Sequence, residues 1–138
     1  MSTPVVPDEG ELSILAALRT YANANYKVRL FASNTTPTSA SVLADFTEAS
    51  FAGYTSGGTA PVYAAPATVS GQGKMSASQI TFTRSSTGTA QIIYGWYLVD
   101  TGTSKVVKAE RFDAAISVSS SGHKIKITDR FLGAGTIV

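Results

Sequence analysis

The chain of 138 residues contains no cysteine, a single histidine and a single tryptophan. Without cysteine there is no disulfide framework, no thiolate metal site and no cysteine nucleophile. One imidazole is not an adequate ligand set for zinc, so neither a metal nor another cofactor is expected. Charged residues are scarce, at 14% of the chain, whereas serine and threonine supply about a quarter of it. These features favour a β-rich structural or binding module over an enzyme.

Signals for export, membrane insertion and nucleic-acid binding are also missing. Residues 1–11 are polar and acidic, without a basic region followed by an apolar run, so we expect no signal peptide. No apolar run approaches the roughly 20 residues that a membrane-spanning helix needs. The net charge is only +2, and the basic residues are scattered along the chain. The sequence therefore predicts neither a membrane nor a nucleic-acid partner.

The N-terminal segment combines an extended arm with the one strong helix signal. Two prolines and no periodicity predict that residues 1–7 are extended. Leucine and isoleucine then recur at helical spacing, which predicts a helix over residues 8–22 with its leucine face on a sheet. Asp8 and Glu11 have the spacing of a capping box, and Glu9 adds negative charge at the positive end of the helix.

Short strands separated by turns follow the helix. Residues 26–32 and 75–83 alternate between apolar and polar side chains, as half-buried strands do. Residues 90–100 are almost continuously apolar, which predicts a central strand buried on both faces. Residues 115–118 and 123–128 are predicted to form a hairpin, with isoleucines facing inward and lysines outward.

These elements predict a mainly β fold: an antiparallel β-sandwich or barrel-like domain with one N-terminal amphipathic helix and extended termini. The predicted organisation is an arm over 1–7, a single β-rich domain over 8–130 and an apolar tail over 131–138. The two ends are the candidate interaction segments, because arms and tails of this kind dock on neighbouring subunits. The candidate interaction residues are Pro4, Val5, Val6, Pro7, Phe131, Leu132, Ile137 and Val138.

Candidate catalytic groups are few. His123 lies in a predicted turn, and nothing in the sequence places Asp113 or Asp129 against it, so an exposed turn residue is the preferred interpretation. Asp45 and Glu48 are spaced closely enough to suggest paired carboxylates of a glycan hydrolase, although a structural role in a loop is favoured. We therefore predict that the protein is not an enzyme and has no catalytic residues.

One aromatic group has two interpretations. Tyr94, Trp96 and Tyr97 would form a sugar-stacking platform if they were exposed. Because their strand is so apolar, packing in the core is the preferred interpretation.

The chain resembles a family of small structural proteins of tailed bacteriophages. In the first half the similar segments are Val6–Glu11, Val28–Phe31, Pro37-Thr38, Leu43–Phe51 and Gly53-Tyr54. In the second half they are Phe82-Thr83, Gly88–Gln91, Ile93–Gly95, Asp100 and Ala109–Phe112.

The resemblance implies a virion protein without catalytic residues, made in the host cytoplasm and placed on the capsid surface. We expect a decoration, or cement, protein that bridges capsomers as a symmetric homo-oligomer, a trimer or a dimer. Its partners would be other copies of itself and the major capsid protein or other virion proteins. The alternative is a tail, neck or fibre component, including an adhesin that binds a host glycan through its serine- and threonine-rich loops.

Overall fold

The computed structural model describes residues 4–132. Within that part of the chain lie one α-helix, one short 3-10 helix and eight strands. The helices are α1 (Asp8–Asn25) and the 3-10 helix Leu43–Asp45. The strands are β1 (Tyr26–Phe31), β2 (Ala67–Val69), β3 (Gln72–Ser76), β4 (Ile80–Thr83), β5 (Gln91–Asp100), β6 (Lys105–Val118), β7 (Lys124–Ile127) and β8 (Arg130–Leu132).

The strands form three antiparallel sheets, with the orders β1-β5-β6, β2-β3-β8 and β4-β7. The predicted fold class is confirmed: the protein is mainly β, with antiparallel sheets and one helix near the N-terminus, consistent with a β-sandwich.

Strand β5 is the centre of the largest sheet, as its apolar sequence predicted. It pairs with β1 from Tyr26 opposite Asp100 to Phe31 opposite Gly95, and with β6 on its other side. Its second half is buried without a break. Phe31, Phe46, Tyr97 and Val99 form a hydrophobic cluster, in which the rings of Phe46 and Tyr97 stack with their centres 5.0 Å apart. Aromatic packing of this kind fixes the 3-10 segment against the sheet.

Helix α1 begins at Asp8 as predicted and ends at Asn25, three residues after the predicted end. The predicted capping by Asp8 and Glu11 is wrong. Asp8 already belongs to the first turn, and the backbone N–H of Glu11 donates to the carbonyl of Pro7 (3.0 Å). The Glu11 side chain is buried and accepts a hydrogen bond from a strand.

The predicted continuous strand over 75–83 is also wrong, because its two halves belong to different sheets. The strand is interrupted at residues 77 and 78, whose backbone N–H groups donate to other segments. The N–H of Ala77 donates to the carbonyl of Asp129 (2.9 Å), and the N–H of Ser78 donates to that of Val62 (3.0 Å). These bonds end β3 and separate it from β4.

The predicted hairpin of 115–118 with 123–128 is not formed. Residues 115–118 are the end of the long strand β6, and β7 pairs with β4. This pairing places Ile125 opposite Phe82 and Ile127 opposite Ile80, so that buried apolar side chains face one another. The predicted orientation of β7 is confirmed, since both isoleucines are buried and Lys124 and Lys126 are exposed.

The chain divides into two compact units. The first unit combines the N-terminal part up to Ala24, Pro61–Gln79 and the C-terminal part from Thr128; the second combines Asn25–Ala60 and Ile80–Ile127. The domain over 8–130 stays a prediction. Phe131 and Leu132, placed by the sequence in an apolar tail, belong to β8.

Candidate interaction surface

The sole histidine has a local structural contact. His123 is exposed in a turn, as predicted, and its Nδ1 accepts hydrogen bonds from the backbone N–H groups of Ser119 (3.2 Å) and Ser120 (3.4 Å). Asp113 is exposed, whereas Asp129 is buried and accepts a hydrogen bond from the hydroxyl of Tyr63 (2.5 Å). The ring nitrogen that would bind a catalytic acid is thus used to hold the turn.

The two candidate carboxylates each stabilise backbone in the second unit. Asp45 accepts from the N–H of Val42 (2.9 Å) at the start of the 3-10 helix. Glu48 Oε2 accepts from the hydroxyl of Tyr54 (2.8 Å) and the N–H of Gly57 (2.9 Å). The same oxygen lies 3.6 Å from Nε of Arg29. These contacts support the structural interpretation of both residues.

Burial and the neighbouring Glu48 carboxylate act together on Tyr54. Its hydroxyl is removed from water and donates to the Glu48 carboxylate, and both effects disfavour the phenolate. Burial first, and then the hydrogen bond and the negative charge of Glu48, raise the pKa of Tyr54 well above its ordinary value of 10.0.

The three aromatic residues of β5 do not form an exposed platform. Trp96 and Tyr97 are only 6% and 1% exposed, which confirms that they pack in the core. Tyr94 is half-buried, and the guanidinium of Arg111 lies 5.2 Å from the centre of its ring. Trp96 and Tyr97 therefore offer no open aromatic face on which a sugar could stack.

Residues from both ends of the described chain meet beside α1 in the first unit. Val6, Phe131 and Leu132 line an apolar cavity of about 220 Å³ together with one side of the helix. We call this region the terminal patch; it comprises Val5, Val6, Ile14, Leu18, Phe131 and Leu132. Pro4 and Pro7 are exposed next to it in sequence. Ile137 and Val138 lie outside the described residues.

The terminal patch is strongly apolar where it meets solvent. Val5 is 70% exposed, Ile14 58% and Leu132 47%. The first unit is the smaller of the two, yet it carries six of the ten large hydrophobic side chains that are exposed among residues 4–132. The six are Val5, Ile14, Tyr21, Val62, Val69 and Leu132. Of these, Ile14 and Leu132 line the same cavity, and exposed apolar side chains that lie together are typical of protein–protein contact surfaces.

The solvent side of α1 is also poor in charge. After Glu11 the only charged residue of the helix is Arg19, whose Nε donates to the carbonyl of Tyr63 (2.9 Å). A helix with one face in water normally carries charged side chains there. The helical spacing of leucine and isoleucine predicted a buried leucine face but not the exposure of Ile14 and Tyr21. The absence of charge over 12–18 was the available signal.

The edge of strand β6 is a second surface that could contact another subunit, but it is less suitable than the terminal patch. Among the described residues β5 is its only partner strand, so one edge of β6 is open. However, its pairing with β5 is interrupted by two register shifts, and it carries charges such as Lys105, Glu110 and Asp113. Bulges and charges are the features that prevent edge strands from pairing with other chains. The terminal patch is therefore the better candidate for contact with another subunit.

No helix among the described residues is long and apolar enough to cross a membrane. Nor do the described residues contain a group of three or more histidine and carboxylate side chains able to hold a metal ion. The chain matches no protein-family model, no curated protein and no solved structure.

Proposed function

We propose that this protein is a structural component of a bacteriophage virion, a capsid decoration protein that bridges and stabilises capsomers as a symmetric homo-oligomer. The segments similar to small tailed-phage structural proteins support this proposal. The observation that carries it is the terminal patch, where residues from both ends of the described chain join α1 in an exposed apolar surface. Such a surface is expected of a protein that acts by contact with other subunits.

The terminal patch suits contact between like subunits. In an isologous interface each side chain meets the same patch on the partner, so like charges would be brought together. The six side chains of the patch are uncharged, and Glu11, the one charged residue that lines its cavity, is buried and bonded to the N–H of Gly73. Removal of the apolar side chains from water would favour association. The capsid would then contact other parts of the subunit, and cohesion would come from burial rather than from chemistry.

A tail, neck or fibre component is the alternative, and one observation favours it. The hydroxyl-rich loop that includes Pro37–Ser41 lines an open cavity of about 400 Å³ together with Val106–Ala109 of β6. Hydroxyl groups at an open cavity suit a host glycan. The buried aromatics of β5 weigh against this alternative, because they cannot stack on a sugar.

The proposed function is tested by adding purified protein back to phage particles that lack it. We expect saturable binding and an increase in the temperature at which the particles release DNA. Ile14→Lys, in the terminal patch, should abolish both effects, whereas Ile116→Lys, also at an exposed isoleucine but in the second unit, should retain them. Failure of the wild-type protein to bind such particles would contradict a decoration role.

A further inference from the structure

Arg84 is a buried cation held by neutral groups. Its side chain follows β4 and is part of a residue only 6% exposed. Nε donates to the carbonyl of Ser86 (2.6 Å), and Nη1 donates to the carbonyls of Thr89 (3.1 Å) and Val118 (2.8 Å). The guanidinium therefore fixes the loop after β4 and the end of β6 by three hydrogen bonds, all to uncharged acceptors.

The charge of Arg84 has no counter-charge in the described part of the chain. Glu48 pairs with Arg29, and no carboxylate of the described residues lies within 4.0 Å of Arg84. A guanidinium has five N–H donors. The three bonds from Nε and Nη1 leave the two N–H groups of Nη2 without an acceptor among the described residues. Since no buried side-chain nitrogen there lacks a partner, Nη2 is reached by solvent.

An open cavity of about 340 Å³ adjoins this cation. It is lined by two segments of the chain. One contributes Arg84 and residues 89–91, and the other contributes residues 50–52. Gln91 fixes the wall, since its Oε1 accepts from the N–H of Ser50 (2.8 Å) and its Nε2 donates to the Ser50 hydroxyl (3.2 Å). No acidic side chain lines the cavity, so its only formal charge is positive.

We propose that this cavity is a binding site for a carboxylate group, with Nη2 of Arg84 donating a hydrogen bond to the anion. A buried charge without a counter-charge is costly, and a bound carboxylate would offset that cost. Because Nη1 is already engaged, the ligand binds at one nitrogen only and not in the bidentate manner of an arginine–carboxylate pair. A single carboxylate, from either an acidic amino-acid side chain or a sugar acid, fits a contact of this kind. This site is independent of the proposed virion role.

Gly88 provides a way to block the site without removing the cation. A Cβ at position 88 would lie 2.8 Å from Nη2 of Arg84, and this glycine does not need a left-handed backbone. Gly88→Ala should therefore crowd or displace the guanidinium at Nη2 while keeping the arginine and its positive charge. Ser86→Ala is the matched control, since it makes a small change in the same loop and keeps the carbonyl that Nε contacts.

The test is an NMR titration of the ¹⁵N-labelled protein with sodium acetate, N-acetylglutamate and glucuronate, against sodium chloride at equal ionic strength. We expect saturable shifts at Arg84, Thr89 and Gln91 with a carboxylate and not with chloride. Preference for N-acetylglutamate or for glucuronate identifies the amino-acid or the sugar source. Gly88→Ala should weaken binding at least tenfold, and Ser86→Ala should not. Absence of saturable shifts, or equal binding by Gly88→Ala, would overturn the proposal, and neither result bears on incorporation into virions.

Discussion

The carboxylate of Glu11 accepts a hydrogen bond from the backbone N–H of Gly73 at 2.8 Å, and this contact joins α1 to β3 within the first unit. Glu11 is 3% exposed, so an acidic residue that looks like a helix cap in the sequence is part of the core. Glycine at this strand position allows the helix to approach closely. A Cβ at position 73 would lie 3.0 Å from Oε2 and 3.1 Å from Cβ of Glu11.

Replacing Glu11 by alanine should lower the free energy of unfolding by about 1–3 kcal/mol, because the buried N–H of Gly73 loses its acceptor. Glu11→Gln keeps an oxygen at the same place and should cost less. Glu9→Ala, an exposed position in the same turn, is the control and should stay within about 0.5 kcal/mol of the wild type. Urea unfolding followed by circular dichroism measures all three. Equal losses for Glu11→Ala and Glu9→Ala would show that the contact with Gly73 is not stabilising.

Trp96→Ala should destabilise the protein by about 3–5 kcal/mol, because the indole is 6% exposed in the central strand. Ile92→Ala, in the same strand but at a side chain that is 46% exposed, should cost much less. Thermal unfolding of both variants compares them directly. A small loss for Trp96→Ala, combined with loss of binding to a glycan, would instead assign Trp96 to a surface site.

The free energy of unfolding should decrease at alkaline pH because of three tyrosines whose pKa is raised in the folded protein. Burial raises the pKa of Tyr54, and also of Tyr97 and Tyr26, above 10.0 in the folded protein. The unfolded chain releases these protons from about pH 10 upward while the folded protein retains them, so unfolding is favoured as the pH rises. In Tyr54→Phe the decrease in unfolding free energy between about pH 9 and 11 should be smaller than in the wild type. The same decrease in both proteins would contradict a contribution from Tyr54.

Substitutions at two neighbouring valines should distinguish an effect on self-association from an effect on folding stability. Val5 is 70% exposed, whereas Val6 is half-buried and lines the cavity beside α1. Val5→Ser should weaken self-association with a change in stability below about 0.5 kcal/mol. Val6→Ser should also destabilise the fold, since it removes packed apolar atoms. Analytical ultracentrifugation and thermal unfolding distinguish the two effects. If Val5→Ser associated as strongly as the wild type, the terminal patch would not be the contact surface.

Local sequence patterns predicted the strands of this fold better than they predicted which strands pair with one another. The apolar run over 90–100 and the alternation in β7 were sufficient to identify a buried strand and its inward face. The partner of β7 was not predictable in the same way, because several short strands offered it suitable isoleucine or valine neighbours. The nearest segment in the sequence, residues 115–118, was predicted to be the partner, whereas the observed partner is β4.

Among the candidate sites, positions that depend on neighbours in the sequence were predictable, and contacts between distant segments were not. The exposed turn position of His123 follows from its neighbours in sequence, and the structure confirms it. The contact of Glu11 with Gly73 spans 62 residues, and that of Arg84 with Val118 spans 34. No spacing rule in a single sequence predicts such contacts. Glu11 was therefore predicted to cap the helix, and Arg84 was left without a role.

The number of copies in purified phage particles tests the central claim most directly. A decoration protein follows the symmetry of the capsid, so quantitative mass spectrometry against the major capsid protein should find on the order of hundreds of copies per particle. A count below about twenty would indicate a tail, neck or fibre position, and absence from the particle would contradict a structural role in the virion altogether.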